Sequence, residues 1–408
     1  MAFFHGIKTS EIDTAVVATA QTTAGLPVVF GTAPVHLAEE PKINEPVICY
    51  SWSEAKKYLG YHEDWDKYTL CEPMYAEFKL FAVAPVVFIN VLDPAKHKKS
   101  VSSTSITVSR KSATINDDVI LSSLTVSATS AGSAAKAGTD YIAAYDDDGN
   151  TVISILEGGA LADARNIYVA CDAVDASLVK DADIIGGVGT NDAVTGLELI
   201  NYIYSRFSLV PGIIAAPGWS QHPEVAAVMR AKSRNINDVF RCSILTDIDT
   251  TEVKSYSGCN LWKSGNGYTG VAESVCWPMG KMGNHCYYMS TIEMGVIGQV
   301  DASNDDIPYE SPSNKSVPIT GLCLKDGTEV TLELTQANLL NGQGITTALN
   351  FGGGWRLWGN YTGAYPGSTD PKDTFLAVRR MFDWDDQVFI LTYSVSYTHL
   401  TLPTTPYV

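Results

Sequence analysis

Four short, largely apolar runs, separated by stretches of helical spacing, constrain this chain most. Leu26-Pro27-Val28-Val29-Phe30-Gly31 is the first and Pro85-Val86-Val87-Phe88-Ile89-Asn90-Val91 the second. Val210-Pro211-Gly212-Ile213-Ile214-Ala215-Ala216 and Cys242-Ser243-Ile244-Leu245-Thr246-Asp247-Ile248 follow. A strand that is apolar at nearly every position has both faces covered, as in a parallel sheet flanked by helices. Helix signals lie between the runs. Ser53 is the expected N-cap of Glu54–Leu59, with Gly60 as its stop. Met74, Tyr75, Phe78 and Phe81 share one helical face, and Pro223 suits the first turn of a helix reaching about Arg234. Val271–Met279 reads as a further strand, and Tyr287–Ile297 as an apolar segment of helical or strand type. Strand, helix, strand in this order predicts an α/β layer.

One stretch breaks the pattern. From Ser100 to about Ala170 the residues are small and β-branched, with short alternating runs such as Ser105-Ile106-Thr107-Val108 and Val152-Ile153-Ser154-Ile155. Asp148-Gly149-Asn150, between Tyr145 and Thr151, signals a hairpin. This predicts an inserted all-β module.

Composition excludes several function classes. The 408 residues, 45% hydrophobic, leave room for two to four domains and ample core. With 28 Lys+Arg against 45 Asp+Glu, the formal net charge is −17, which repels nucleic-acid phosphate. Between Asp140 and Glu198 there are twelve acidic residues against Arg165 and Lys180, read as a solvated surface. No apolar run reaches the roughly 18–20 residues that span a bilayer. Met1-Ala2-Phe3-Phe4-His5-Gly6 lacks the basic start of a signal peptide. The eight cysteines are scattered without a C-x-x-C pair, and are expected to be reduced, buried, small hydrophobes.

Several segments carry residue types suited to chemistry, and the spacing decides each. Gly186-Gly187-Val188-Gly189 has no following lysine for a phosphate loop and reads as a flexible connection. Ser220 and His222 sit at the end of an apolar strand, but Gly-Trp-Ser-Gln-His is not a nucleophile elbow and reads as a turn. Asp146-Asp147-Asp148-Gly149-Asn150 lacks calcium-loop spacing, and the seven histidines form no zinc motif. Asp301–Asp306, followed by three prolines, reads as a solvated loop. No catalytic, cofactor or metal residue is therefore expected, and no cofactor. Trp355, Arg356 and Trp358, after three glycines, suit stacking on a ligand, core packing or a subunit interface; packing or interface is favoured. Residues 1–24, with only Ile7, Ile12, Val16 and Val17 as larger apolar side chains, read alone as a frayed terminus or as an arm that pairs with another subunit.

Together these segments resemble the tail sheath protein of contractile phages and phage-tail-like bacteriocins, in the form typical of Gram-positive hosts. The resemblance spans about residues 3–393. Its strongest carriers are Asn338-Leu339-Leu340-Asn341-Gly342-Gln343-Gly344-Ile345 and Gly354-Trp355-Arg356-Leu357-Trp358-Gly359-Asn360. Thr369-Asp370-Pro371-Lys372-Asp373 and Val378-Arg379-Arg380-Met381-Phe382 extend it.

The resemblance implies a multidomain α/β protein with a subtilisin-like α/β central domain that is not a protease. It further implies an inserted all-β sandwich and an α+β C-terminal domain. The expected divisions are 1–24 (linking arm, with Ile7, Ile12 and Val16 at the inter-subunit contact), 25–97 (first part of the α/β core), 98–178 (sandwich), 179–337 (remaining sheath core) and 338–394 (C-terminal domain). The implied function is structural: a helical homo-oligomer of stacked rings around a tail tube, contracting to drive the tube through the host envelope. Implied partners are further copies of itself, the tail tube protein, and baseplate and tail terminator proteins, with no nucleic acid and no membrane insertion. The implied location is the virion tail, after synthesis in the host bacterial cytoplasm. The rival readings are a subtilisin-like hydrolase and a glycan-binding surface adhesin.

The end departs from the family. Val395-Ser396-Tyr397-Thr398-His399-Leu400 matches a reading frame of a transposon-end adapter used in shotgun libraries. The native sequence is therefore expected to stop near Ser394, with 395–408 non-native and the C-terminal domain incomplete; the alternative is a short Thr-rich tail. A chain so shortened is expected not to form regular tubules.

Overall fold

The computed structural model describes residues 20, 21 and 23–399, with side chains from Thr23 to Thr392. Ile7, Ile12 and Val16 lie outside the described residues. The chain enters as β1 (Ala20–Gln21), β2 (Pro27–Gly31) and β3 (Val47–Cys49). α1 (Trp52–Leu59) begins two residues earlier than the sequence spacing predicts. Ser51, not Ser53, is the N-cap: its hydroxyl accepts from the Glu54 amide while the Glu54 carboxylate accepts from the Tyr50 amide. The reciprocal pair satisfies two free amides at once, which Ser53 has no partner to do. α2 (Cys71–Tyr75) runs on as a π-helical turn, Ala76–Phe81, before β4 (Val83–Ala84) and β5 (Val86–Asn90).

The small-residue stretch forms β6 (Lys98–Thr107), β7 (Ser112–Ile115), β8 (Thr125–Ser127), β9 (Tyr141–Tyr145), β10 (Thr151–Ile155) and β11 (Asn166–Val174). They pair as two three-stranded sheets, β7-β10-β9 and β6-β11-β8. Alternating burial along β10 and β11 turns Ile153, Ile155, Ile167 and Val169 inward onto a separate apolar core. The Asp146–Asn150 segment makes the expected tight turn. Asp146 Oδ1 accepts from the amides of Asp148 and Asn150, so this carboxylate holds its own loop.

Beyond the insert come α3 (Asp181–Ile185), a short hairpin of β12 (Gly187–Val188) and β13 (Val194–Thr195), and α4 (Ile203–Phe207). The glycine segment is thus a paired hairpin rather than a flexible connection. Gly186, at φ +67°, packs so tightly on Thr195 that a Cβ would lie 1.9 Å from its carbonyl oxygen. Then follow β14 (Ile213–Ala215), α5 (Pro223–Ser233), β15 (Ser243–Asp247), α6 (Cys259–Gly265) and β16 (Glu273–Cys276).

The main sheet has the order β16-β15-β14-β2-β5-β3. All pairings are parallel except the β3 edge on β5. β2, β5, β14, β15 and β16 are buried at every position, as continuous apolar runs require.

The remainder builds a second core on the other side of one helix. β17 (Met279–Met282) and β18 (His285–Tyr287) precede α7 (Met289–Ser303), buried over nearly its whole length. The Tyr287–Ile297 segment is therefore mainly helical. At Gly295 a Cβ would lie 2.2 Å from the Phe81 ring, so glycine lets the π-helical turn lie directly on α7. β19 (Gly321–Cys323) and β20 (Glu329–Val330) complete a four-stranded sheet, β18-β17-β19-β20. Next come α8 (Leu334–Asn341) and the hairpin β21 (Thr347–Asn350) with β22 (Trp355–Trp358). α9 (Pro371–Thr374) and α10 (Leu376–His399) end the described chain.

Two sequence expectations are corrected here. Cys286 and Cys323, on the two strands that flank β17, form a disulfide, with Cα atoms 6.5 Å apart across a sequence separation of 37. The other six cysteines are free and buried. Asp301 is not in a solvated loop: it belongs to α7, is fully buried and pairs with Arg380.

Candidate functional site

The carboxyl ends of β14 and β15 are where a doubly wound sheet would place chemistry. Ser220 lies there, fully buried. Its hydroxyl donates to Asp247 Oδ2 at 3.2 Å and accepts from the Asp247 amide at 3.1 Å. His222 turns elsewhere: its Nδ1 meets Asp181 at 2.6 Å. A serine with a carboxylate but without an adjacent base is not an activated nucleophile.

What the arrangement does is hold α7. Asp247 accepts from the amide and hydroxyl of Ser290, and Glu72 Oε1 accepts from the Tyr288 amide at 2.8 Å. Two carboxyls thus cap the exposed amides at the start of the central helix. Burial pushes Asp247 up to about 6 and Glu72 up to about 8, since a dry surrounding favours the neutral acid. One turn on, Glu293 accepts from Ser274 and Cys276 and is pushed up to about 7. Glu77 is also wholly buried and raised, with burial the cause. Sequence reasoning missed this shell. Its only sequence signal was an Asp at the end of an otherwise apolar strand.

The far end of α7 gathers both ends of the described chain. Asp306 accepts from the amides of Thr23 and Ala24 at 2.7 and 2.8 Å, and from the Thr23 hydroxyl. Just upstream, β1 pairs in parallel with β4, Ala20 opposite Val83. Asp301 binds Arg380 of α10, with side chains 0% and 3% exposed. A second clasp joins Arg234 to Asp383 through two hydrogen bonds of 2.6 and 2.8 Å. The same helix presents Phe382, Val388 and Phe389 to solvent.

Trp355, Arg356 and Trp358 lie together on β22, paired with β21 through a turn at Gly352 and Gly353. Both tryptophans pack partly buried against the second core. Trp358 Nε1 donates to Asn338 Oδ1 at 3.0 Å, and Arg356 donates to the Asn314 carbonyl at 3.0 Å. These contacts join the hairpin to α8 and to the 314–317 segment. Among the described residues no group of three or more His, Cys, Asp or Glu is placed to hold a metal ion. Among them, too, no helix is long and apolar enough to cross a membrane.

No protein-family model matches the chain. Its fold is that of contractile injection machinery. A chain of the anti-feeding prophage baseplate superposes with a TM-score of 0.51 at 12% identity, covering 100% of this chain and 79% of that one. The sheath complex of the extracellular contractile injection system PVC, in its contracted state, also gives 0.51 at 12%, covering 99% and 77%. In sequence, the chain is 25% identical over 390 residues to the tail sheath protein of Burkholderia phage BcepMu, covering 93% of this chain and 79% of that protein. The resemblance to contractile tail sheath proteins drawn from the sequence therefore holds along nearly the whole chain.

Proposed function

We propose that this protein is a structural subunit of a contractile tail sheath. The observation that carries the reading is its likeness to a phage tail sheath protein along 93% of its length, joined to a fold shared with a solved contracted sheath. In this role it assembles helically around a tail tube and contracts to drive the tube through the host envelope. Head-to-tail contacts that do not close into a ring generate such a helix. The free energy of contraction resides in the extended lattice, and catalysis is not needed.

Several finer assignments belong to the same proposal. The doubly wound sheet supports a subtilisin-like central layer spanning 25–97 and 179–337, and the two three-stranded sheets support 98–178 as an inserted sandwich. Residues 338–394 form the C-terminal sheath domain. Residues 1–24 are read as a linking arm, with Ile7, Ile12 and Val16 at its contact. Support comes from the firm anchoring of Thr23 and Ala24 at its root. The packing of Trp355 and Trp358 favours a core role, with Arg356 fixing the hairpin. Partners are further copies of the chain, the tail tube, baseplate and tail terminator proteins, and the location is the virion tail. The pairing of Ser220 with Asp247 and of His222 with Asp181 speaks against the hydrolase.

Immunogold electron microscopy tests the reading. An antibody raised against this chain should decorate the striated outer tube of tails released by the cells that make it. Undecorated tails, with the label on discrete particles, would overturn it.

A further inference from the structure

The Cys286–Cys323 bond differs from the other six cysteines in its surroundings. Cys49, Cys71, Cys171, Cys242, Cys259 and Cys276 are free and buried. Cys323 is also fully buried, but Cys286 is only half-buried and forms part of the wall of an open cleft of about 310 Å³. The cleft lies between the β17–β18 turn, the 63–66 loop and the segment after β19. His285, next to Cys286, stacks on Trp65 with ring centroids 4.4 Å apart. Lys325, two residues after Cys323, pairs with Asp66. Of the two bonded residues, Cys286 therefore borders solvent in the cleft and Cys323 does not. The bond also closes a covalent loop, 37 residues around, that contains all of α7.

We propose that Cys286–Cys323 is a reversible redox site, opened and closed through Cys286 by low-molecular-weight thiols and their disulfides. A reductant thiolate attacks the Cys286 sulfur from the cleft. A bond forms between the two sulfurs, the Cys286–Cys323 bond breaks, and the electron pair leaves on Cys323, which takes a proton from water. A second thiolate attacks the reductant's own sulfur in this mixed disulfide. It releases the reductant as its disulfide, and Cys286 as a thiolate. Closing runs the same steps backwards with the oxidised small molecule. When closed, the loop around α7 is stapled; when open, the sheet and helix are joined by non-covalent contacts alone. This inference is independent of the sheath reading.

The test uses the full chain isolated in air. It is treated with glutathione or dithiothreitol in native buffer, quenched with iodoacetamide and mapped by peptide mass spectrometry. Cys286 and Cys323 should be linked before treatment. After it, they should become alkylated while the other six stay unmodified. The reduced protein should melt about 4 °C lower, as expected for a released loop of this size. Oxidised glutathione should restore both the bond and the melting temperature. Two variants separate the sulfurs: Cys323→Ser should leave a thiol at 286 that is alkylated without denaturant. Cys286→Ser should leave Cys323 unreactive until the protein unfolds. Free thiols at both positions in the air-isolated protein would overturn the proposal. So would reduction that proceeds only under denaturant, together with exposure of the other six, or the reverse reactivity of the two variants.

Discussion

In the two-sheet insert, charged side chains remain at the surface: Lys111 pairs with Glu157, whose side chain is 88% exposed. Around α7 the opposite holds. Asp301 and Arg380 pair out of contact with water, and Asp247, Glu72, Glu293 and Glu77 are buried along or beside the same helix. The insert rests on a small apolar core centred on Ile153, Ile167 and Val169. The central region adds a polar framework whose members are costly to leave unpartnered. The contrast teaches that the two regions should fail differently. Damage to the insert should stay local, whereas damage beside α7 should spread through both cores that the helix joins.

The sharpest way to break this comparison is Arg380→Ala. It leaves Asp301 buried and unpaired, and is expected to cost about 3–5 kcal/mol, read as a lowered urea midpoint or loss of soluble protein. A stability close to that of the parent would show the framework to be dispensable. Next is Ile153→Ala, expected to cost about 3 kcal/mol through the cavity it leaves. Hydrogen exchange should then accelerate in β7, β9 and β10 while β2, β14 and β15 keep their protection. Equal acceleration in both would mean that the insert and sheet unfold together.

The third prediction concerns pH. Glu72, Glu293 and Asp247 hold protons more tightly folded than unfolded, because burial raises them to about 8, 7 and 6. Their contribution to stability is therefore fully present at low pH. It is lost as pH rises from about 4 to about 8. Glu72→Gln keeps an oxygen for the Tyr288 amide and removes one titration. The fall in stability between pH 6 and 8 should become shallower, by an amount on the order of a few kcal/mol across the window. An unchanged slope would exclude Glu72 as a source. The smallest effect is expected from Lys111→Ala on the insert surface, where the melting temperature should not move measurably.

Much of the central layer was legible because it repeats a simple demand. Leu26–Phe30, Val86–Ile89 and Ile213–Ala216 are apolar at every position, and only a sheet covered on both faces accommodates them. Pro223 and Gly60 marked helix ends for local steric reasons. The site was less legible. Ser51 and Ser53 carry the same side chain, and only the reach of Glu54 back to the Tyr50 amide decides which one caps. Asp301 looked solvated beside Asp305 and Asp306, because its partner Arg380 lies 79 residues away. The same distance problem hid Asp247 on Ser290, and Cys286 on Cys323. Local pattern reports periodicity, whereas pairing across tens of residues is fixed only when the chain has folded.

The clasp at the far end of α7 has a mechanical consequence. A pull on the chain at Thr23 strains Asp306 before it reaches β2, and a pull on α10 strains Asp301 through Arg380. Both routes deliver tension to one rigid rod, seated between two cores and tied at its other end to Asp247 and Glu72. The insert, whose first and last strands lie side by side with Lys98 opposite Val174, is outside that line of force. Load entering at one end of the described chain can leave at the other with the two sheets of the insert at rest.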